Sequence, residues 1–261
     1  MHVREAGAGA VILLLHGWSC HGGFFPEQFE ELSRDFHLLA PDLPGHGLTG
    51  MTGPPLSIEA AAGACAELIE ARGLRKVLLV GWSMGAAVAW SMLARHGSAR
   101  IAGLVTVDMS PRPLNDASWQ SGLRDGLDLA RSDKAAAAMP GSWPAFTGRI
   151  VQSLFADGVP ADAKLAEWAR DEIARCNPNA MSTMWSSLTS QDFRPLLPRI
   201  ECPALITCGA RSALYSRDVF TWTAAQMPHA RLVCFEHSGH APHLTEADAF
   251  NAALRAFHRE L

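Results

Sequence analysis

The sequence predicts an α/β fold: a mostly parallel sheet of about seven strands, covered by helices and interrupted once by a helical insertion. Three observations carry that expectation. Short apolar runs such as Val11–Leu15 and Val77–Val80 alternate with segments of helical periodicity. The alternation stops near residue 112 and resumes near residue 196. A Gly81-Trp82-Ser83-Met84-Gly85 turn sits between one apolar run and an alanine-rich helix.

The elements follow in order. One strand fits ahead of Val11, and Val11–Leu15 is a continuous apolar run, as expected of a strand buried on both faces. A helix is predicted over Pro26–Asp35, where Phe25, Phe29, Leu32 and Phe36 recur at spacings of four, three and four. His37–Ala40 is the next strand, closed by the turn-rich Pro41-Asp42-Leu43-Pro44-Gly45-His46-Gly47. Ser57 is an N-cap for a helix through Ala71 that presents Ile58, Ala62, Cys65 and Ile69 on one face. Val77–Val80 is a central strand, Gly81–Gly85 a sharp turn and Ala86–His96 a helix; Ala102–Val107 is a strand ending at Asp108. Residues 112–195 are helical in composition, with prolines at 140, 144, 160 and 178. Then come a strand at Pro203–Cys208, a helix at Val219–Gln226, a strand at Arg231–Phe235 and a closing helix at Asp248–His258. The organisation expected is a core of residues 1–111 and 196–261 with a helical cap of residues 112–195.

Composition narrows the function classes. The 261 residues suffice for one large domain or a domain with an insertion. The net charge of −4 and the absence of any Lys/Arg cluster argue against a nucleic-acid partner. No apolar run approaches the roughly 20 residues of a membrane span, and the first residues lack a signal peptide's apolar stretch, so the cytoplasm is the expected compartment. The six cysteines are scattered without C-x-x-C pairing and are expected to be reduced, packed as small hydrophobes. No H-x-x-x-H or H-E-x-x-H spacing occurs, so neither metal nor cofactor is expected.

Gly81–Gly85 fits G-x-S-x-G between strand and helix, the context in which that pattern presents a serine nucleophile. The tight turn strains the backbone of Ser83, and its hydroxyl stands at a helix N-terminus, where backbone N–H groups face developing negative charge. A serine hydroxyl attacks only when a base takes its proton. Among 11 histidines, His240 in Ser238-Gly239-His240-Ala241-Pro242-His243 follows the last strand and reaches the sheet edge of Ser83. Gly239 would permit the turn, and His237 and His243 are read as surface or packing residues.

Leu15-His16-Gly17-Trp18, Asp42–Gly47, Gly81–Gly85 and Ser238-Gly239-His240 together resemble, in order and spacing, the α/β-hydrolase fold family, along nearly the whole chain. The resemblance implies a serine esterase on a sheet lacking the family's first edge strand, with the cap inserted after its sixth strand. It implies an oxyanion hole from the backbone N–H groups of Trp18 and Met84. Gly45-His46-Gly47 is read as a structural turn. Relatives with dehalogenase or epoxide hydrolase activity carry an aspartate at the place of Ser83, which disfavours both.

One member departs from the family pattern. Many relatives place the triad acid in a G-x-x-D segment after the seventh strand, and here that segment reads Gly209-Ala210-Arg211-Ser212. Without an acid, the base loses tautomer control and imidazolium stabilisation. Asp108, at the end of the preceding strand, is the favoured replacement, and Asp218 the alternative.

Aromatic residues of the insertion, with Trp82, supply a substrate wall: Trp82, Trp143 and Trp185 are the candidate pocket residues for a small or medium apolar ester. Two other readings stay open. A cofactor-independent oxygenase of the same fold would use a His–Asp dyad, and a non-catalytic member would bind a small ligand without turnover. The expected partner is a small-molecule substrate.

Overall fold

A computed structural model describes residues 1–51 and 55–261. Seven strands form one sheet in the order β1-β3-β2-β4-β5-β6-β7. They are β1 (Val3–Ala6), β2 (Ala10–Leu15), β3 (Phe36–Pro41), β4 (Val77–Trp82), β5 (Ile101–Val107), β6 (Ala204–Gly209) and β7 (Ala230–Phe235). Only β1, the strand ahead of Val11, runs antiparallel, pairing with β3 at the edge; the other pairs are parallel.

Both faces of the sheet are buried, and the alternation of side chains splits each strand between two cores. Leu13 and Leu15 of β2 and Val77 and Leu79 of β4 pack under one helical layer. That layer comprises α2 (Ile58–Ala71), α3 (Met84–His96) and, further along the chain, Arg217–Gln226. Ile12 and Leu14, with Leu78 and Val80, face α1 (Pro26–Leu32) and the C-terminal helix Ala247–His258. This two-sided burial is why β2 and β4 read as continuous apolar runs rather than alternating ones. Ser57 caps α2 as the sequence predicts, accepting a hydrogen bond from the Ala60 N–H.

The insertion follows β5, the sixth position in the family's count once its first strand is left out. It consists of α4 (Leu129–Leu154), α5 (Ala163–Ala174) and α6 (Pro178–Thr189). Residues 112–128, expected to be helical, instead form an irregular loop. Pro111 and Pro113 withhold N–H groups there, and Asn115 ties the loop by hydrogen bonds to Gly122 and Leu123. α4 bends at Ser142, which leaves helical geometry (φ −138°, ψ 24°) between Pro140 and Pro144. After β6 the chain continues through α7 (Arg217–Gln226), β7, the short α8 (Pro242–Thr245) and α9 (Ala247–His258).

Candidate active site

Parallel register brings the chemical groups together. Trp82 at the end of β4 pairs with Val107 at the end of β5, so Ser83 and Asp108 are the next residues on adjacent strands. The ladder runs one step further into the loops: Ser83 N–H donates to Val107 O, and Asp108 N–H donates to Thr207 O. Both residues have positive φ, 52° at Ser83 and 47° at Asp108. Such backbone costs about 1–3 kcal/mol for a residue with a side chain and persists where surroundings enforce it. Here close packing enforces it: a Cβ on Gly81 would lie 2.4 Å from Gly85 O, and one on Gly85 would lie 2.1 Å from Leu15 O. The elbow can therefore be built only with glycine on both sides of Ser83.

Asp108 is fully buried and its carboxylate accepts three hydrogen bonds. Oδ1 takes His240 Nδ1 at 2.7 Å and the Ser212 hydroxyl at 2.8 Å, while Oδ2 takes the Gly209 N–H at 3.0 Å. A carboxylate on Nδ1 sets the His240 tautomer and leaves Nε2 as the proton acceptor. Asp218 is exposed in the first turn of α7, away from this cluster.

The loop that carries His240 is braced on several sides. The Trp82 indole N–H donates to His240 O at 2.8 Å, Ala241 N–H donates to Leu154 O of the cap, and the Ser238 hydroxyl donates to Glu246. Gly239 is not in the left-handed region, so its role differs from the turn expected of it. A Cβ there would lie 2.0 Å from Phe155 O, and glycine is required by the close approach of the cap backbone.

His243 is a packing residue, fully buried against Trp82 (4.5 Å) and Phe25 (5.0 Å), and among the described residues neither ring nitrogen makes a well-formed hydrogen bond. Burial pushes it down to about 3. His237 is exposed.

The Gly17–Trp18 loop passes directly beside the nucleophile elbow: a Cβ on Gly17 would be 3.3 Å from the Trp82 ring and 3.4 Å from Ser83 Cβ. His16 fixes that loop. Its Nδ1 donates to Gly17 O and its Nε2 accepts the Leu43 N–H, a pattern that holds the imidazole neutral, and burial pushes it down to about 3. Met84 opens α3, so its N–H has no intrahelical partner. Gly45 and Gly47 both have positive φ, and Asp42 holds this turn by accepting the Gly22 and Leu48 N–H groups, as its structural reading requires.

Gly17, Trp18, Trp82, Ser83 and His240 share one cavity of about 640 Å³ under the cap. Among the described residues Ser83 Oγ makes no hydrogen bond, and it lines this space together with His240. Trp185 is in the wall, as expected, with its indole N–H held by Ser132 Oγ at 3.0 Å. Trp143 is not. It is buried inside the cap, edge-on to Trp18 at 5.8 Å, and donates to Ile173 O. Trp18 is pinned from the other side by its own N–H to Met181 O. Sequence reading missed much of the wall, including Met139, Ile150, Leu188, Leu214 and Tyr215. Aliphatic side chains on irregular loops and a bent helix carry no periodic signal that distinguishes a pocket from a core. Among the described residues no cluster of three His, Cys, Asp or Glu could hold a metal ion, and no helix is long and apolar enough to cross a membrane.

Together the site offers a serine hydroxyl at a helix N-terminus, an imidazole oriented by a buried carboxylate, the Met84 amide at the opening of α3 and an apolar chamber. Residues 12–253 match the alpha/beta hydrolase family. A pimeloyl-[acyl-carrier protein] methyl ester esterase of Chromobacterium violaceum is 31% identical over 97% of this chain and 96% of its own. That of Nitrosomonas europaea is 29% identical over 98% of both chains. Among solved structures, an esterase from Exiguobacterium antarcticum superposes with a TM-score of 0.90 at 22% identity, covering 98% of this chain and 94% of its own. The chain belongs to the alpha/beta hydrolase family, and within it to the carboxylic ester hydrolases.

Proposed function

We propose that the protein hydrolyses an ester of a small or medium apolar acyl or aryl group through an acyl-enzyme on Ser83. His240 Nε2 takes the Ser83 proton as Oγ attacks the carbonyl carbon, and the Trp18 and Met84 N–H groups stabilise the tetrahedral oxyanion. Asp108 holds the imidazole in the required tautomer and stabilises the imidazolium. His240 then gives the proton to the leaving alcohol, and water, deprotonated by the same imidazole, releases the acid and restores Ser83.

The observation that carries this reading is the 2.7 Å contact of Asp108 Oδ1 with His240 Nδ1, in a cavity whose wall also holds Ser83. The mechanism does not require Ser83 and His240 to be bonded at rest, because catalytic hydrogen bonds often tighten only when substrate binds. The substrate named for the curated relatives, a pimeloyl-[acyl-carrier protein] methyl ester, is the first specific candidate to assay. The mostly apolar wall suits its acyl chain, and Lys134 and Arg149 in the same wall add positive charge, while Arg131 there is paired with Asp125.

The test is Ser83→Ala, measured with p-nitrophenyl esters of increasing chain length and with a fluorophosphonate probe. Both turnover and labelling should vanish, since loss of a triad nucleophile costs on the order of a million-fold. Retention of more than about a tenth of the rate would sink the reading on the same scale. The His–Asp dyad alone would also serve the oxygenase reading. Oxygen uptake with a hydroxyquinolone, undiminished in Ser83→Ala, would favour that reading. An intact protein that neither turns over any ester nor reacts with the probe would favour a binder.

A further inference from the structure

Cys208 and Cys234 are direct register partners on β6 and β7, so their side chains leave the same face of the sheet. Their sulfurs lie 2.6 Å apart, and both are free thiols. The sequence separates them by a whole helix, so no spacing rule pairs them. From this register and contact we propose that Cys208 and Cys234 form a redox modification site, a vicinal dithiol that a hydroperoxide oxidises to a cross-strand disulfide.

The backbone is already suited to the bond. Neighbouring strands run about 4.8 Å apart, inside the roughly 4.4–6.8 Å Cα separation that disulfides span. The two sulfurs also have distinct environments. Cys208 is fully buried, while Cys234 is half-buried and reachable by a small oxidant. The hydrogen bond from Cys208 holds the Cys234 thiol down to about 7, with the nearby positive charge of Arg217 acting in the same direction against burial. Burial pushes Cys65 and Cys176 up to about 12 and raises Cys20 and Cys202 as well. Cys234 is thus the one cysteine of the six held as a competent nucleophile near neutral pH.

The step balances without any other reagent. The Cys234 thiolate attacks one peroxide oxygen, the O–O bond breaks, and the departing hydroxide takes a proton to become water, leaving a sulfenic acid. The Cys208 sulfur then attacks the Cys234 sulfur. The S–O bond breaks, the hydroxyl leaves with the Cys208 proton as a second water, and the S–S bond forms. Together the two thiols give up one electron pair and two protons to a single peroxide, which is reduced to two waters. The bond would lie one residue before Gly209, whose N–H holds Asp108 Oδ2.

The experiment treats the folded protein with stoichiometric hydrogen peroxide and reads intact mass, thiol count and peptide linkage, none of which depends on esterase activity. The expected result is loss of two thiols and about 2 Da, reversed by dithiothreitol. Fragmentation should join Cys208, distinguished from Cys202 on the same tryptic peptide, to Cys234. Cys234→Ser should abolish both the mass loss and the thiol loss, and Cys208→Ser should stop the reaction at oxygen addition on Cys234. A wild-type protein that keeps all its thiols, gains oxygen at Cys234 without a cross-link, or links another pair would overturn the proposal.

Discussion

The Ser212 hydroxyl lies 2.8 Å from Asp108 Oδ1, the same oxygen that takes His240 Nδ1 at 2.7 Å. The residue standing where the family pattern has an acid therefore donates a hydrogen bond to the aspartate on the neighbouring strand. Ser212 is itself fixed, fully enclosed and accepting the N–H groups of Leu214 and Tyr215. Its hydroxyl occupies a lone pair of Oδ1 and so helps aim the other at the imidazole.

Ser212→Ala removes one of three donors from a buried carboxylate and lies outside the wall of the cavity beside Ser83. A hydrogen bond to a charged group is worth about 1.5–3 kcal/mol, so kcat should fall by roughly tenfold or more while KM stays unchanged. Ser212→Thr, which keeps the hydroxyl, should retain most of the rate. Equal losses in both variants, or a loss confined to KM, would remove Ser212 from the orienting role.

Asp108→Asn keeps the shape of the side chain but imposes the wrong tautomer on His240. On the proposed mechanism kcat should drop by roughly 10³–10⁴, whereas Asp218→Asn, at an exposed helix start, should change little. Because Ser212 Oγ already lies beside the oxygen that holds His240, a carboxylate built from that position can reach the imidazole. Ser212→Asp should therefore recover part of the activity in the Asp108→Asn background. In the wild-type background it should do harm, since two buried carboxylates in contact cannot both ionise readily. A large loss at Asp218 with normal turnover at Asp108 would reverse the assignment.

Much of this site was legible in the sequence because its signals are local. The elbow glycines, the strand before Ser83 and the cap of α2 by Ser57 all follow from neighbours in the chain. Asp108 could be singled out because strand ends in a parallel sheet share an edge. The contact that explains how Asp108 works, from Ser212, joins residues more than a hundred positions apart and needed coordinates. The same limit hid the Cys208–Cys234 pair, and it misassigned Trp143, since an aromatic in a cap packs inward or outward according to a helix bend that composition does not encode. The loop of residues 112–128 was misread for a different reason: it was grouped with the helical insertion that follows it, but Pro111 and Pro113 lack the N–H groups a helix needs and Asn115 ties the backbone in loop form.

Three enclosed histidines make the fold sensitive to acid. Burial lowers His16 and His243 to about 3 and His46 to about 4, from 6.5. In each case the folded state disfavours the proton that the unfolded chain accepts. The stability they confer is therefore complete above about 6.5 and lost as pH falls from there toward 3–4. Each histidine contributes up to about 1.4 kcal/mol per pH unit inside that window. Urea unfolding between pH 7 and 4.5 should show the slope, and His243→Leu should reduce it by about one histidine's share. The same variant should raise stability at neutral pH, because among the described residues neither buried ring nitrogen of His243 makes a well-formed hydrogen bond. A slope unchanged by the substitution would mean that His243 is protonated in the fold or relieved by water.

The two cap tryptophans should behave differently, and the contrast tests whether the cavity sets substrate choice. Trp185 stands in the wall beside Leu188 and Tyr215, half-buried, with its N–H on Ser132. Trimming it to Ala enlarges the chamber, so preference among p-nitrophenyl esters should move toward longer or bulkier acyl groups, with only a modest loss of stability. Trp143 lies behind Trp18, in the core of the cap, and contributes no wall. Trp143→Ala leaves a cavity among packed side chains and should cost about 3–5 kcal/mol of stability. Because Trp18 rests against that ring, Trp143→Ala should also lower kcat for every ester alike, through the Trp18 backbone N–H, without reordering the chain-length profile. The measurements are the ratio of kcat/KM across chain lengths and the urea midpoint of each variant. If Trp143→Ala reorders the profile and Trp185→Ala does not, the chamber described here is not where the acyl group binds.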